Sequence, residues 1–229
     1  MLERKRTCKE KLILMSARRQ IINKGLLSFS IADVSRDCGI SSSTICQHYL
    51  SKESLVAALY LLYLNNTKKR MLATLEFDLN EREALLAYGL SISYPSQLKL
   101  DVTGTNFMMS NSAIWVAVDP RVSAKVRHEF NELVNVGERF IHPAIKLGLI
   151  TLPEEEFRHV MRSYARGCSL MSQNVLRQEV ELSYHNFIVV GFLNLINSFT
   201  ECNKGNAIDV SRVMVAVKTA FDRYPLSTV

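Results

Sequence analysis

Ser41, Ser42, Ser43, Thr44, Gln47 and His48 crowd into one short stretch, with Lys52 just beyond it. These side chains suit the holding of nucleic acid better than the breaking of bonds. Short hydroxyls match phosphate oxygens and allow a helix N-terminus to approach a backbone closely. A glutamine such as Gln47 can hydrogen-bond a base edge in a groove. His48 can donate to a phosphate or a base. The Lys52 ammonium, beside the amides that open the next helix, could clamp a phosphate with them.

Such groups work only if a rigid frame presents them. Residues 25–55 hold two short helical patterns on either side of one tight turn, Gly39-Ile40-Ser41. That is the layout of a helix-turn-helix, whose second helix enters the major groove. A first helix is expected from about Cys8 to Lys24, with Leu12, Met15, Ile22 and neighbours facing inward. Lys24-Gly25 ends it with a basic residue followed by glycine. Ser30 is the N-cap expected for a second helix, Ile31–Cys38, with Asp33 as a first-turn acid and Val34 and Cys38 on the inner face. Ser41 or Ser42 caps a third helix ending near Tyr49. Ile45 and Tyr49, four apart, form its packed side and leave the polar residues outward. Ser51 caps a fourth helix running from Lys52 to about Leu75. Arg4, Lys5, Arg6, Lys9 and Lys11 precede this domain as a flexible arm that adds phosphate or minor-groove contacts, or as a solvated tail.

Charge supports the same assignment. The 229 residues carry a net +6. Residues 1–70 hold 13 Lys and Arg against 5 Asp and Glu, whereas the remainder holds 15 against 17. All the excess positive charge therefore sits with the helix-turn-helix, where phosphates would attract it and salt would weaken the attraction. Apolar residues make up 48% of the chain, too many for a disordered protein. Cys8, Cys38, Cys46, Cys168 and Cys202 are scattered, with no Cys-x-x-Cys pair, so neither a disulfide framework nor a metal site is expected. The charged start lacks a signal core. The most apolar run, Phe187–Phe199, contains Asn194 and Asn197 and is shorter than the ~20 residues of a membrane span. A cytoplasmic protein without membrane association is expected.

Downstream, helical spacing recurs at about 81–93, 105–118, 120–147, 154–178, 182–202 and 208–223, and no stretch alternates as a strand would. The expected fold class is all-α. An N-terminal three-helix helix-turn-helix domain, residues 1–55, precedes a larger helical ligand-binding and dimerisation domain, residues 56–229.

Cys8 to Leu59 resembles the N-terminal domain of the TetR (tetracycline-repressor) family of bacterial transcription regulators. The matching features are Lys24-Gly25, then Ser30-Ile31-Ala32-Asp33-Val34-Ser35, then Cys38-Gly39-Ile40-Ser41. Thr44-Ile45, His48-Tyr49 and Ser51-Lys52-Glu53-Ser54-Leu55 follow in order. The resemblance implies phosphate contacts from Ser30, His48 and Lys52, and a core position for Tyr49. Cys46 departs from the pattern. The family usually has a tyrosine there whose hydroxyl reaches the DNA backbone, and a cysteine is too short for that.

The resemblance further implies a homodimer, here through helices at about 154–178 and 182–202, on a palindromic operator. Apolar groups surround nearly the whole circumference of Phe187–Phe199, so that helix must be covered on all sides. It also implies a small-molecule effector within the body. Tyr88, Phe107, Met108, Met109, Trp115 and Phe130 are candidate lining residues, as are Phe140, Tyr164, Cys168 and Met171. Arg166, His142 and Asn174 are candidates for an effector's polar end. So apolar a set suits a hydrophobic or amphipathic effector. A ligand-responsive repressor with no cofactor is the expected function. The alternatives are a thiol enzyme using Cys168 with His142, His159 or His185, and a helical adaptor that binds protein alone. No catalytic signature supports the enzyme.

Overall fold

Serine and asparagine caps, glycine stops and apolar stripes divide this chain into ten α-helices among the described residues of a computed structural model. It describes residues 2–94, 102–171, 184–201 and 206–225. The helices are α1 Leu2–Lys24, α2 Ile31–Cys38, α3 Ser42–His48, α4 Lys52–Thr74, α5 Glu81–Ser93, α6 Val102–Met109, α7 Pro120–Lys146, α8 Glu154–Met171, α9 Tyr184–Phe199 and α10 Val210–Arg223. A 3-10 helix, Ser112–Ala117, precedes α7. No strand is present among the described residues, where an antiparallel bridge joins Ile150 and Thr200. The all-α expectation holds. The helix expected over 105–118 is instead α6 plus the 3-10 turn, and residues 172–183 of the expected 154–178 and 182–202 helices lie outside the described residues.

Two compact units form. Residues 2–65 and 104–130 make the first. Its core is Ile13, Leu14, Ala17, Ile21, Phe29, Val34, Ile45, Tyr49 and Leu55. Gly25 (φ 82°) ends α1, donating from its amide to Ile21 O at 2.8 Å. The return segment is fastened to the start of α4: Ser51 Oγ donates to Ala117 O at 2.6 Å, and Asp119 N donates to the buried Ser54 Oγ at 2.8 Å.

The expected inner face of α1 is corrected. Leu12, Met15 and Ile22 are 46%, 37% and 49% exposed, while Ile13, Ala17 and Ile21 are buried. The helix carries two apolar stripes about one residue out of phase. The stripe with small residues wins because it lets α2 approach, and Ser16 Oγ donates to Val34 O there at 3.1 Å. The arm or tail expected before the domain is also corrected, since α1 is already helical from Leu2.

Described residues of 66–103 and 131–226 make the second unit. Helix α5 is buried along almost its whole length, and α8, α9 and α10 pack on it. An N-cap Asn80 opens it in a capping box with Glu83. Ring-on-glycine packing sets the helix spacing. A β-carbon at Gly89 would overlap the Phe192 ring, and one at Gly191 would overlap the Tyr164 hydroxyl. Arg70 is fully buried, donates from Nε to Tyr224 O at 2.7 Å and stacks 4.4 Å over the Phe221 ring.

Candidate nucleic-acid interface

Helix α2 starts where the sequence places it. Asp33 N donates to Ser30 Oγ at 3.2 Å and Ser30 N donates to Asp33 Oδ2 at 3.0 Å, closing a capping box. The Ser30 hydroxyl itself donates to Asp33 Oδ2 at 2.8 Å. Lys24 Nζ adds a 2.6 Å bond to Asp33 Oδ1. With the Lys24 ammonium first and the Ser30 bonds next, the Asp33 carboxyl is held down at about 2. Gly39, at φ 67°, ends α2 and turns the chain, its amide donating to Ser35 O at 3.0 Å. A left-handed residue is needed there, and glycine meets that need without strain.

Ser41 caps α3, accepting from Thr44 N at 3.2 Å and exchanging hydroxyl bonds with Ser43 and Thr44. Ile45 and Tyr49 are buried, as their spacing predicts, and anchor the helix. Burial foremost, and Glu10 second, push the Tyr49 phenol up. Ser41, Ser42, Ser43 and Gln47 are exposed, Thr44 and Cys46 half-buried. The short helix thus offers solvent a polar edge over an apolar anchor.

Two flanking residues are more committed than their types suggest. Lys52 Nζ donates to Leu27 O at 2.7 Å and lies 4.6 Å from the Phe29 ring centre. His48 Nδ1 lies 3.3 Å from Glu10 Oε1, bridging α3 to α1. Sequence reading missed Glu10. No local signal could find a partner 38 positions away.

Residues 13–59 match the family model for "Bacterial regulatory proteins, tetR family". The chain carries a TetR-family helix-turn-helix domain. No curated protein matches the chain. Among solved structures, a transcriptional regulator of the TetR/AcrR family from Thermobifida fusca is 16% identical with TM-score 0.64, covering 84% of this chain and 99% of that one. The TetR-family regulator PfmR from Thermus thermophilus is 15% identical with TM-score 0.59, covering 81% and 97%. FadR from Bacillus subtilis, in complex with stearoyl-CoA, is 13% identical with TM-score 0.59, covering 81% and 95%. At such identities the likeness establishes the fold alone, an all-helical chain that follows the same course as these proteins.

The expected effector residues fall in both units. In the first, Trp115 Nε1 donates to the carbonyl of the buried Met109 at 3.0 Å, Met108 is half-buried and Phe130 is 40% exposed. In the second, Tyr88 and Phe140 are buried with ring centres 6.1 Å apart, and Tyr164 sits edge-on to Phe192 at 4.8 Å. Burial pushes the Tyr88 phenol up, against the Arg162 guanidinium beside it. Cys168 is buried, whereas Arg166, His142 and His159 are exposed. The side chains of Phe107, Met171 and His185, and all of Asn174 and Cys202, lie outside the described residues. Among the described residues no His, Cys, Asp and Glu cluster could hold a metal, and no helix is long and apolar enough to cross a membrane.

Proposed function

We propose that the chain is a sequence-specific DNA-binding transcriptional regulator, a ligand-responsive repressor that acts as a homodimer on a palindromic operator. Residues 1–55 read DNA, and residues 56–229 bind an effector and dimerise. The observation that carries the reading is the exposed edge of α3, Ser42, Ser43 and Gln47, raised on a buried Ile45–Tyr49 anchor within a basic TetR-family head. Ser41, Ser42, Ser43 and Thr44 approach phosphates, Gln47 reads a base edge, and Ser30, His48 and Lys52 hold the flanking backbone.

Dimerisation uses α8 and α9. Phe187 and Val190 of α9, each 52% exposed, lie one turn apart and give a second subunit apolar surface to cover. Two-fold symmetry then sets two copies of α3 about one DNA turn, ~34 Å, or a multiple apart. The effector is small and hydrophobic or amphipathic. The stearoyl-CoA held by FadR is such a molecule. Tyr88, Phe140, Tyr164 and Cys168 are its proposed contacts. Ligand binding alters DNA affinity only through unequal binding to two dimer conformations, and α4, continuous from Lys52 to Thr74, is the proposed lever between them. A cytoplasmic binding protein, not an enzyme, follows.

Selection of duplexes from a random library by the purified protein tests the reading. Enrichment of one inverted repeat, with affinity falling steeply as salt rises, is expected. Recovery of unenriched sequence with no salt dependence would refute it.

A further inference from the structure

Half of the ten Lys and Arg in residues 1–65 stand in the first eleven positions: Arg4, Lys5, Arg6, Lys9 and Lys11. That run is helix, since α1 begins at Leu2. One contact fixes where it lies. Glu10 Oε1 is 3.3 Å from His48 Nδ1, so the third turn of α1 stands against the last turn of α3. Successive residues of a helix are about 100° apart, so Lys9 and Lys11 leave α1 on either side of Glu10. Both are exposed and bond no described residue. Other cations of the head are already engaged. Arg19 is paired with Asp37, Lys24 and Arg36 with Asp33, and Lys52 is bonded to Leu27 O. Each of these must give up a protein partner to take a phosphate, whereas Lys9 and Lys11 exchange only water.

We propose that the first three turns of α1 are a second nucleic-acid surface. In it Lys9 and Lys11 hold duplex phosphates on either side of the end of α3, and Arg4, Lys5 and Arg6 carry the contact further along the backbone. This rests on the reading of α3 as the helix that enters the major groove. That groove is about 12 Å wide and rimmed by phosphates. A helix lodged in it has a rim on each flank, within reach of two lysines that diverge beside its last turn. The carboxylate between them, Glu10, is drawn to His48. The ligand is the sugar–phosphate backbone, so the surface adds affinity and register but no base preference.

The test uses the full chain and a fluorescein-labelled duplex of mixed sequence about three helical turns long, because phosphate contacts are independent of sequence. Anisotropy titrations between about 50 and 300 mM salt give Kd and the slope of its logarithm against that of salt. Lys9→Gln with Lys11→Gln should weaken binding and lower that slope by about two for each bound head, close to one counterion per lost phosphate. Adding Arg4→Gln, Lys5→Gln and Arg6→Gln should lower it further. Lys146→Gln with Lys218→Gln removes the same charge from exposed positions of the second unit and should leave the slope unchanged. Thermal melts confirm that each variant folds. If the Lys9 and Lys11 variant keeps the wild-type slope and Kd, the proposal falls while α3 stays a duplex contact. If it loses no more than the Lys146 and Lys218 variant, net charge alone is at work and the proposal falls. A five-site variant no weaker than the two-site one overturns the part given to Arg4, Lys5 and Arg6. If the wild type shows no salt-dependent binding to any duplex, the regulator reading falls and this surface with it.

Discussion

Lys24 Nζ and Asp33 Oδ1 lie 2.6 Å apart, so the last residue of α1 fastens the carboxylate that caps α2. One interaction fixes both the exit of the first helix and the entry of the second. With Ser30 it holds the Asp33 carboxyl at about 2, below its ordinary value of 3.8.

A depressed carboxyl stabilises the fold above its unfolded pKa and stops doing so as it protonates in the folded state. The wild type should lose this stability as pH falls from roughly 4 toward 2. Asp33→Asn should melt lower than wild type at pH 7, with the gap closing through that window. Circular dichroism melts at pH 7, 4, 3 and 2 check this, and a constant gap would contradict it.

Ser30→Ala removes the acceptor for Asp33 N and should cost about 1 kcal/mol, read in urea denaturation. Ser30→Thr keeps the oxygen and should recover most of it.

Gly191→Ala places a methyl on the Tyr164 hydroxyl and should destabilise by roughly 1–3 kcal/mol. Tyr164→Phe removes the oxygen it meets, so the double variant should be more stable than the sum of the single losses. Simple additivity in denaturant midpoints would show that the two helices move apart instead.

Gln47→Ala should change preference among duplexes by about 1–3 kcal/mol, whereas Lys52→Ala should weaken all duplexes alike. Lys52→Ala should also lower thermal stability, because the ammonium holds Leu27 O and the Phe29 ring. Competition binding against single-base operator variants separates the two behaviours. Equal losses across sequences for both would remove Gln47 from base reading.

Local spacing made the head legible. Ser30 and Asp33, three apart, form the capping box, and Ile45 and Tyr49, four apart, form the anchor, because both relations are set by helix geometry alone. The inner face of α1 was not legible, since Leu12, Met15 and Ile22 read as well as Ile13, Ala17 and Ile21 until α2 selects between the stripes. The partners of His48 and Lys52 escaped for a different reason: Glu10 and Leu27 are brought to them by the tertiary fold and leave no periodic trace.

Ser54 is wholly buried and takes its hydrogen bond from Asp119, far along the sequence. A fragment cut after residue 65 would bring every helix of the reading head but strip the Asp119 amide and the Ala117 carbonyl from the bonded Ser51–Ser54 hydroxyl pair. Such a truncation should melt below the intact protein, and a portable version of the head needs the stretch around Ala117–Arg121 spliced back onto it.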